Sequence, residues 1–363
     1  MIQLALHDLH KSLGAVFTEL DGWQVPLHYG SSIAEHRAVR QAVGLADRSY
    51  RGKLKFTGQD RATFLQGQIT NDVQQLTDGQ GLYAALLTIK GKMVADLELF
   101  QESDAILMDL EPVLTESIGA HLSRYILRAD VKIENITEKM AHLTLQGPAS
   151  TDLLGKLSDK ALPPLSVRGL TQRNMKGRVV TIIKTASTGE EGYDLLLPVA
   201  AAPDVWNLLM ETGQGIGIRP IGFEALEMLR VETGIPRYGV DMDEDVFPVE
   251  AGLEEKAISY TKGCYTGQEP ISRIKHRGQV NRHLIGFILE EPILPNKGDK
   301  IMKDGQEAGF ITSGIVSPMI GKTVALGYLR REWAEAGQSV TILRGEKQVS
   351  ATVASLPFYQ RGK

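Results

Sequence analysis

A single cysteine, Cys264, occurs in the 363 residues, inside "KGCYTGQEPISRIKHRG". Between Lys262 and His283 lie five lysines or arginines, two histidines and one acid, Glu269. Nearby positive charge favours a thiolate over a thiol, so these surroundings suit a reactive sulfur. Gly263 and Gly267 permit close backbone approach or a positive φ. The plainer alternative is a small buried hydrophobe, the usual fate of a lone cysteine. Lys262, Arg273, Lys275 and Arg277 could equally form a solvated basic face. Two other stretches imitate functional motifs and fail. "DMDEDVFPVEAG" places acids at positions one, three and five of a calcium loop. Val246 then stands where glycine must be, and Gly252 where the bidentate glutamate must be. "GQGIGI" lacks the bracketing strand and helix of a dinucleotide fingerprint.

The elements that would position such residues follow from spacing. Helical periodicity marks "SIAEHRAVRQAVGL", with Ser32 as N-cap and Glu35 at N3. It also marks "DRATFLQGQIT", "EPVLTESIGAHLSRYILRA", "PASTDLLGKLS", "AAPDVWNLLMETG" and "IGFEALEMLRVETG". Alternation predicts strands in "GKLKFTG", "VKIEN" and "MAHLTLQGP", three in "GLYAALLTIKGKMVADLELFQESDAILMDL", and two in "GRVVTIIKTASTGEEGYDLLLPV". The first fifty residues otherwise read as one short helix and a loop. From about Asn281 the chain turns to short strands and turns, which predicts a small all-β domain. The whole therefore reads as α+β with antiparallel sheets. Length favours two or three domains.

Composition narrows the class. A net charge of −4 gives no global electrostatic case for nucleic acid. One cysteine excludes an intrachain disulfide, and any cluster or zinc site needing four thiolates from this chain alone. No charged-then-apolar leader appears, and no apolar run approaches 18 residues. A cytoplasmic protein without a membrane span is the expectation.

Several segments together resemble the folate-dependent T-protein (aminomethyltransferase) superfamily of the glycine cleavage system. They are "DGWQVPLHYGSSIAEHRAVRQAVGLAD", "ITNDVQQLTDGQGLYAALL", "LQGPAS", "STGEEGYDLLLP", "EALEMLRVETGIPRYGVDMDEDVFPVEAGL" and "ITSGIVSPMIGKTVALGYL". "KGCYTGQE", with "FLQGQITNDV" and "KGKM", is similar to the YgfZ-type branch. The resemblance implies three domains around a central folate-binding channel. Residues 1–50 and 140–255 would form a discontinuous folate-binding domain, and 51–139 an inserted α+β domain. Residues 256–283 would be a linker carrying the cysteine motif, and 284–363 a C-terminal β-barrel.

Site roles follow from the resemblance alone. Asp96 matches the second of two paired acids and would orient the reactive nitrogens of tetrahydrofolate or manage a proton; Ala95 replaces the first. Asp194 matches the carboxylate that grips the pterin edge, where the family often has glutamate. Tyr83 would pack on the ring, while Ser187 stands where a tyrosine wall is common. Arg230 matches a family arginine that either borders the folate or makes an internal ion pair. Leu226 replaces an arginine of the folate site. Lys262, with Arg273, Lys275 and Arg277, would hold glutamate carboxylates of the folate tail. No metal site is expected.

Two functions are thereby implied. The leading expectation is a tetrahydrofolate-binding, YgfZ-like protein that supports iron–sulfur cluster assembly or repair, with iron–sulfur assembly proteins or client enzymes as partners. The alternative is an aminomethyltransferase acting with a lipoyl carrier protein, releasing ammonia and methylenetetrahydrofolate. A folate-oxidising or demethylating enzyme is a third, weaker reading, since no flavin domain is visible.

Overall fold

The computed structural model of the protein describes residues 1–362, apart from the Arg277 side chain. The chain divides into two compact units. The first holds residues 1–66, 72–83 and 97–227; the second holds 67–71, 84–96 and the chain from Met228 onward. The expected α+β class and the C-terminal β-barrel are both present.

The first unit is built on a six-stranded sheet. Its order is Leu170–Met175, Arg178–Thr185, Gly192–Pro198, Met140–Gln146, Val43–Asp47 and Ile218–Pro220. Side chains alternate between faces along each strand, so the pairing register decides what each face carries. In Met140–Gln146, Leu143 and Leu145 share a face with Leu195, Leu197, Leu45 and Val43 of the neighbouring strands. That face is the core, covered by Leu153 and Leu154 of helix Ser150–Leu157 and Trp206 and Leu209 of helix Ala202–Gly213. The other face carries His142, Thr144 and Gln146, with Asp194 opposite Thr144. A five-stranded sheet follows the order Gly81–Leu87, Met93–Gln101, Ile106–Leu110, Gly52–Thr57 and Lys132–Asn135. Phe100 and Leu107 from it join Leu170, Ile183 and Leu196 of the six-stranded sheet in a smaller apolar cluster.

Two local expectations are corrected. The first fifty residues hold more than a helix and a loop: strands Val16–Leu20 and Trp23–His28 pair antiparallel. Asp21 (φ 47°) and Gly22 (φ 85°) make the two-residue turn between them, and Asp-Gly is the pair such a turn favours. The helix-capping serine is Ser31, whose Oγ accepts from the Ala34 N–H at 3.3 Å. Ser32 is the first helical residue, and the Glu35 carboxylate accepts from the Tyr29 and Gly222 N–H groups at 2.6 and 2.8 Å.

The second unit contains a closed six-stranded barrel. Its strands run Arg282–Leu289, Thr323–Arg330, Gln306–Val316, Lys300–Lys303, Ser339–Arg344 and Lys347–Ala354, which pairs back to the first. Closure removes open edges, and Phe287, Ile301, Ile311, Ala325, Ile342 and Val349 fill the core. The basic segment expected as a linker contains helix Gln268–Arg277. Gly267 opens it at φ +83°, where an added Cβ would sit 2.4 Å from the Thr88 carbonyl oxygen.

Candidate functional site

On the polar face of the six-stranded sheet, Asp194 is 5% exposed and surrounded by charge. His142 Nε2 lies 3.3 Å from Asp194 Oδ2, and an Arg48 guanidinium nitrogen lies 3.8 Å from the same oxygen. On its other side, His142 Nδ1 lies 3.6 Å from Asp109 Oδ2. Neither ring nitrogen has hydrogen-bond geometry to a partner among the described residues. Asp109 is held in turn by Lys53 at 2.6 Å and Arg51 at 2.5 Å, and Arg51 also meets Glu111 at 2.5 Å. Acidic and basic side chains thus line up from Glu111 to Arg48 in a buried row, with the His142 ring between two carboxylates. Each ion owes its burial to a partner of opposite sign, since an unpaired buried charge is strongly disfavoured.

The row sets the protonation of both carboxyls. Burial pushes Asp194 up, but His142, Arg48 and the Thr144 hydroxyl outweigh it and hold it down at about 2. Burial likewise raises Asp109, and Arg51, Lys53 and His142 outweigh it, holding it well below the usual carboxylate range. Asp194 is therefore a buried anion at neutral pH. Its Oδ1 is buried and accepts no hydrogen bond among the described residues. Such an oxygen calls for a donor.

The wall beside it is hydrogen-bonded from the next turn. Thr188 Oγ1 donates to Gln146 Oε1 at 2.8 Å, and Gln146 Nε2 donates to Thr144 Oγ1 at 2.7 Å. Gly192, opposite Gln146, leaves room for that amide: an added Cβ would meet Oε1 at 2.4 Å. Tyr83 is half-buried in the same unit, with the Arg168 guanidinium 5.1 Å from its ring centre. Arg168 Nε donates to Glu98 at 2.7 Å.

The remaining candidates belong to the second unit. Asp96 is half-buried on strand Met93–Gln101. It is one of the charges around Tyr238, whose hydroxyl is pushed up to about 12 by burial first, then by Glu244, Asp243 and Asp96. Arg230, expected beside folate or in an internal ion pair, is 8% exposed and paired with Asp241 at 2.8 Å. It also donates to the Ile235 carbonyl at 3.1 Å and Ser313 Oγ at 3.0 Å. Asp241 accepts further from Thr312 Oγ1 at 2.5 Å and Ser313 Oγ at 2.7 Å. The internal pair is what is seen, because it satisfies two buried charges at once.

Cys264 is exposed and free. Lys262 is buried, and its ammonium donates to the Ile69 and Asn71 carbonyls at 2.6 and 2.8 Å. A solvent-facing hold on carboxylates is thus not what this side chain is set to do. Lys275 pairs with Glu254 at 2.7 Å, and the Arg277 side chain lies outside the described residues. Sequence reasoning missed His142, Arg48, Asp109, Arg51 and Lys53. The one signal was the polar 142, 144, 146 stripe on an otherwise apolar strand.

Residues 6–262 match the GCVT N-terminal domain, and residues 282–360 match the glycine cleavage T-protein C-terminal barrel domain. The chain belongs to the glycine cleavage T-protein family. Its relatives include an aminomethyltransferase of Desulfitobacterium hafniense strain Y51, 33% identical over 357 residues, covering 98% of this chain and 97% of that protein. Another is the aminomethyltransferase of Halothermothrix orenii, 35% identical over 359 residues, covering 99% of this chain and all of the relative. Among solved structures, the glycine cleavage system aminomethyltransferase T of Bartonella henselae shares the fold at TM-score 0.90. It is 24% identical and covers 99% of this chain and 98% of that one.

These relatives overturn the leading expectation. Proteins alike over nearly the full length are named for aminomethyl transfer, so the role in iron–sulfur assembly or repair is withdrawn. The similarity supports the family and does not single out the YgfZ-type branch. Aminomethyltransferases of this family use tetrahydrofolate. The donor set fits that group: a buried, ionised carboxylate with one unpartnered oxygen complements the amino and ring N–H edge of a pterin.

Proposed function

We propose that the protein is an aminomethyltransferase that moves a one-carbon unit onto tetrahydrofolate. Asp194 carries the reading: a buried anion whose Oδ1 has no hydrogen-bond donor among the described residues. Tetrahydrofolate supplies the two nitrogens that capture the carbon. Asp194 would grip its pterin edge and Tyr83 would wall the ring. Asp96 enters on the family resemblance alone, to orient the reacting nitrogens or take up a proton. The donor would be an aminomethyl group on the sulfur of a lipoyl carrier protein. The carbon–sulfur and carbon–amine bonds break, two carbon–nitrogen bonds form, and ammonia and the free thiol leave. Full-length similarity to proteins named aminomethyltransferase supports this reading. The Arg230 guanidinium is engaged with Asp241 and is given no ligand role. Cys264 has no step in this chemistry.

Calorimetric titration with tetrahydrofolate tests the grip. Wild type should bind, and Asp194→Asn should bind at least tenfold more weakly, because it offers the pterin a neutral amide in place of a carboxylate. Equal affinities would remove Asp194 from the site.

A further inference from the structure

The geometry points to His142 as the positioning residue of the folate-gripping carboxylate: wedged between Asp109 and Asp194, it holds Asp194 Oδ2 so that Oδ1 stays turned to the ligand. This rests on the reading of Asp194 given above. An aspartate χ2 torsion is broad and nearly two-fold, so an unheld carboxylate can exchange its two oxygens. Here the His142 ring and the Arg48 guanidinium both sit on one oxygen. His142 Nε2 is 3.3 Å and the Arg48 guanidinium 3.8 Å from Oδ2, while Oδ1 accepts nothing among the described residues.

The placement of His142 is itself determined. Thr144 pairs with Asp194 across the two strands, and His142 is two residues from Thr144 on the same face. It is thus a diagonal neighbour of Asp194, within reach of a long ring. The far side of the ring faces Asp109 at 3.6 Å, and Lys53 and Arg51 anchor Asp109 at 2.6 and 2.5 Å. A histidine used only to fill space would not need a carboxylate facing each nitrogen. Of the other charged groups of this row, Arg48, Arg51 and Lys53 hold the two aspartates rather than the ring, and Glu111 pairs with Arg51.

Two variants separate the two sides of the ring. In His142→Gln the amide reaches the place of Nε2 and keeps the contact to Asp194. In His142→Asn the amide stops at the place of Nδ1 and keeps only the side facing Asp109. Calorimetric titration with tetrahydrofolate should give His142→Asn a Kd at least tenfold above wild type, and His142→Gln a Kd within about threefold of it. At saturating tetrahydrofolate, kcat should change less than twofold in His142→Gln while KM follows Kd. Melting temperatures on the same samples should differ little between the two variants, as a purely structural role would not predict. If the asparagine variant does not fold, His142→Leu, close in volume and without a donor, takes its place with the same expectation. Equal affinities for the two variants, retained or lost together, overturn the proposal. Asp194→Asn in parallel separates the two failures. If it binds as wild type, the reading of Asp194 fails and carries this one with it. If it loses binding while the His142 variants match, only the His142 proposal fails.

Discussion

At the residue scale, the charge state of Asp194 bears on stability and, in the proposed site, on ligand capture. Its folded value of about 2 lies below the ordinary 3.8 because His142, Arg48 and Thr144 outweigh the effect of burial. A depressed carboxyl contributes stability that is complete above its unfolded value and disappears as pH falls through the folded one. The window is therefore from about pH 4 down to about pH 2. A depression from 3.8 to about 2 corresponds to about 2 to 3 kcal/mol. Urea unfolding across that range should show wild type losing more stability than Asp194→Asn, by about that amount. Parallel pH curves for the two proteins would mean that the row does not hold the charge. Arg230 makes a second prediction of the same kind. Arg230→Ala strands Asp241 in a buried site with Thr312 and Ser313 as its hydroxyl partners. Removing one partner of a buried pair costs about 3 to 5 kcal/mol. A loss below about 1 kcal/mol in urea would show that the pair does not hold this part of the fold.

At the scale of elements, the segment around Cys264 is informative because its residues already have structural work. Lys262 ties down the Ile69 and Asn71 carbonyls, Tyr265 is buried, and Gly267 opens a ten-residue helix. Its composition had suggested thiol chemistry; its contacts describe a tightly folded turn. Gly267→Ala should cost about 1 to 3 kcal/mol, since alanine disfavours φ +83° and its Cβ would press on the Thr88 carbonyl. A melting temperature unchanged from wild type would contradict this.

Most helices and the barrel strands stand where periodicity places them, because apolar alternation is imposed by one buried face. The Asp21-Gly22 pair signals a hairpin, but its two strands are short and partly exposed, which weakens their alternation. The charged row was not legible. Arg51, Asp109 and His142 come from segments far apart in sequence and meet only through sheet packing. A polar stripe such as His142, Thr144 and Gln146 normally signals a solvent face. Here it is buried, which local pattern alone does not distinguish.

At the scale of the molecule, similarity along nearly the whole chain outweighs an eight-residue signature. Both the N-terminal and the barrel family matches are present, and full-length relatives carry the aminomethyltransferase name. No helix among the described residues is long and apolar enough to cross a membrane. The most direct test is ammonia release from an aminomethyl-loaded lipoyl carrier protein, measured with and without tetrahydrofolate. Wild type should release ammonia rapidly only when tetrahydrofolate is present. Asp96→Asn should slow it by about 10² to 10⁴, the range of a lost acid–base group, and Cys264→Ala should leave it unchanged. No tetrahydrofolate-dependent release, or a release abolished by Cys264→Ala, would contradict the account.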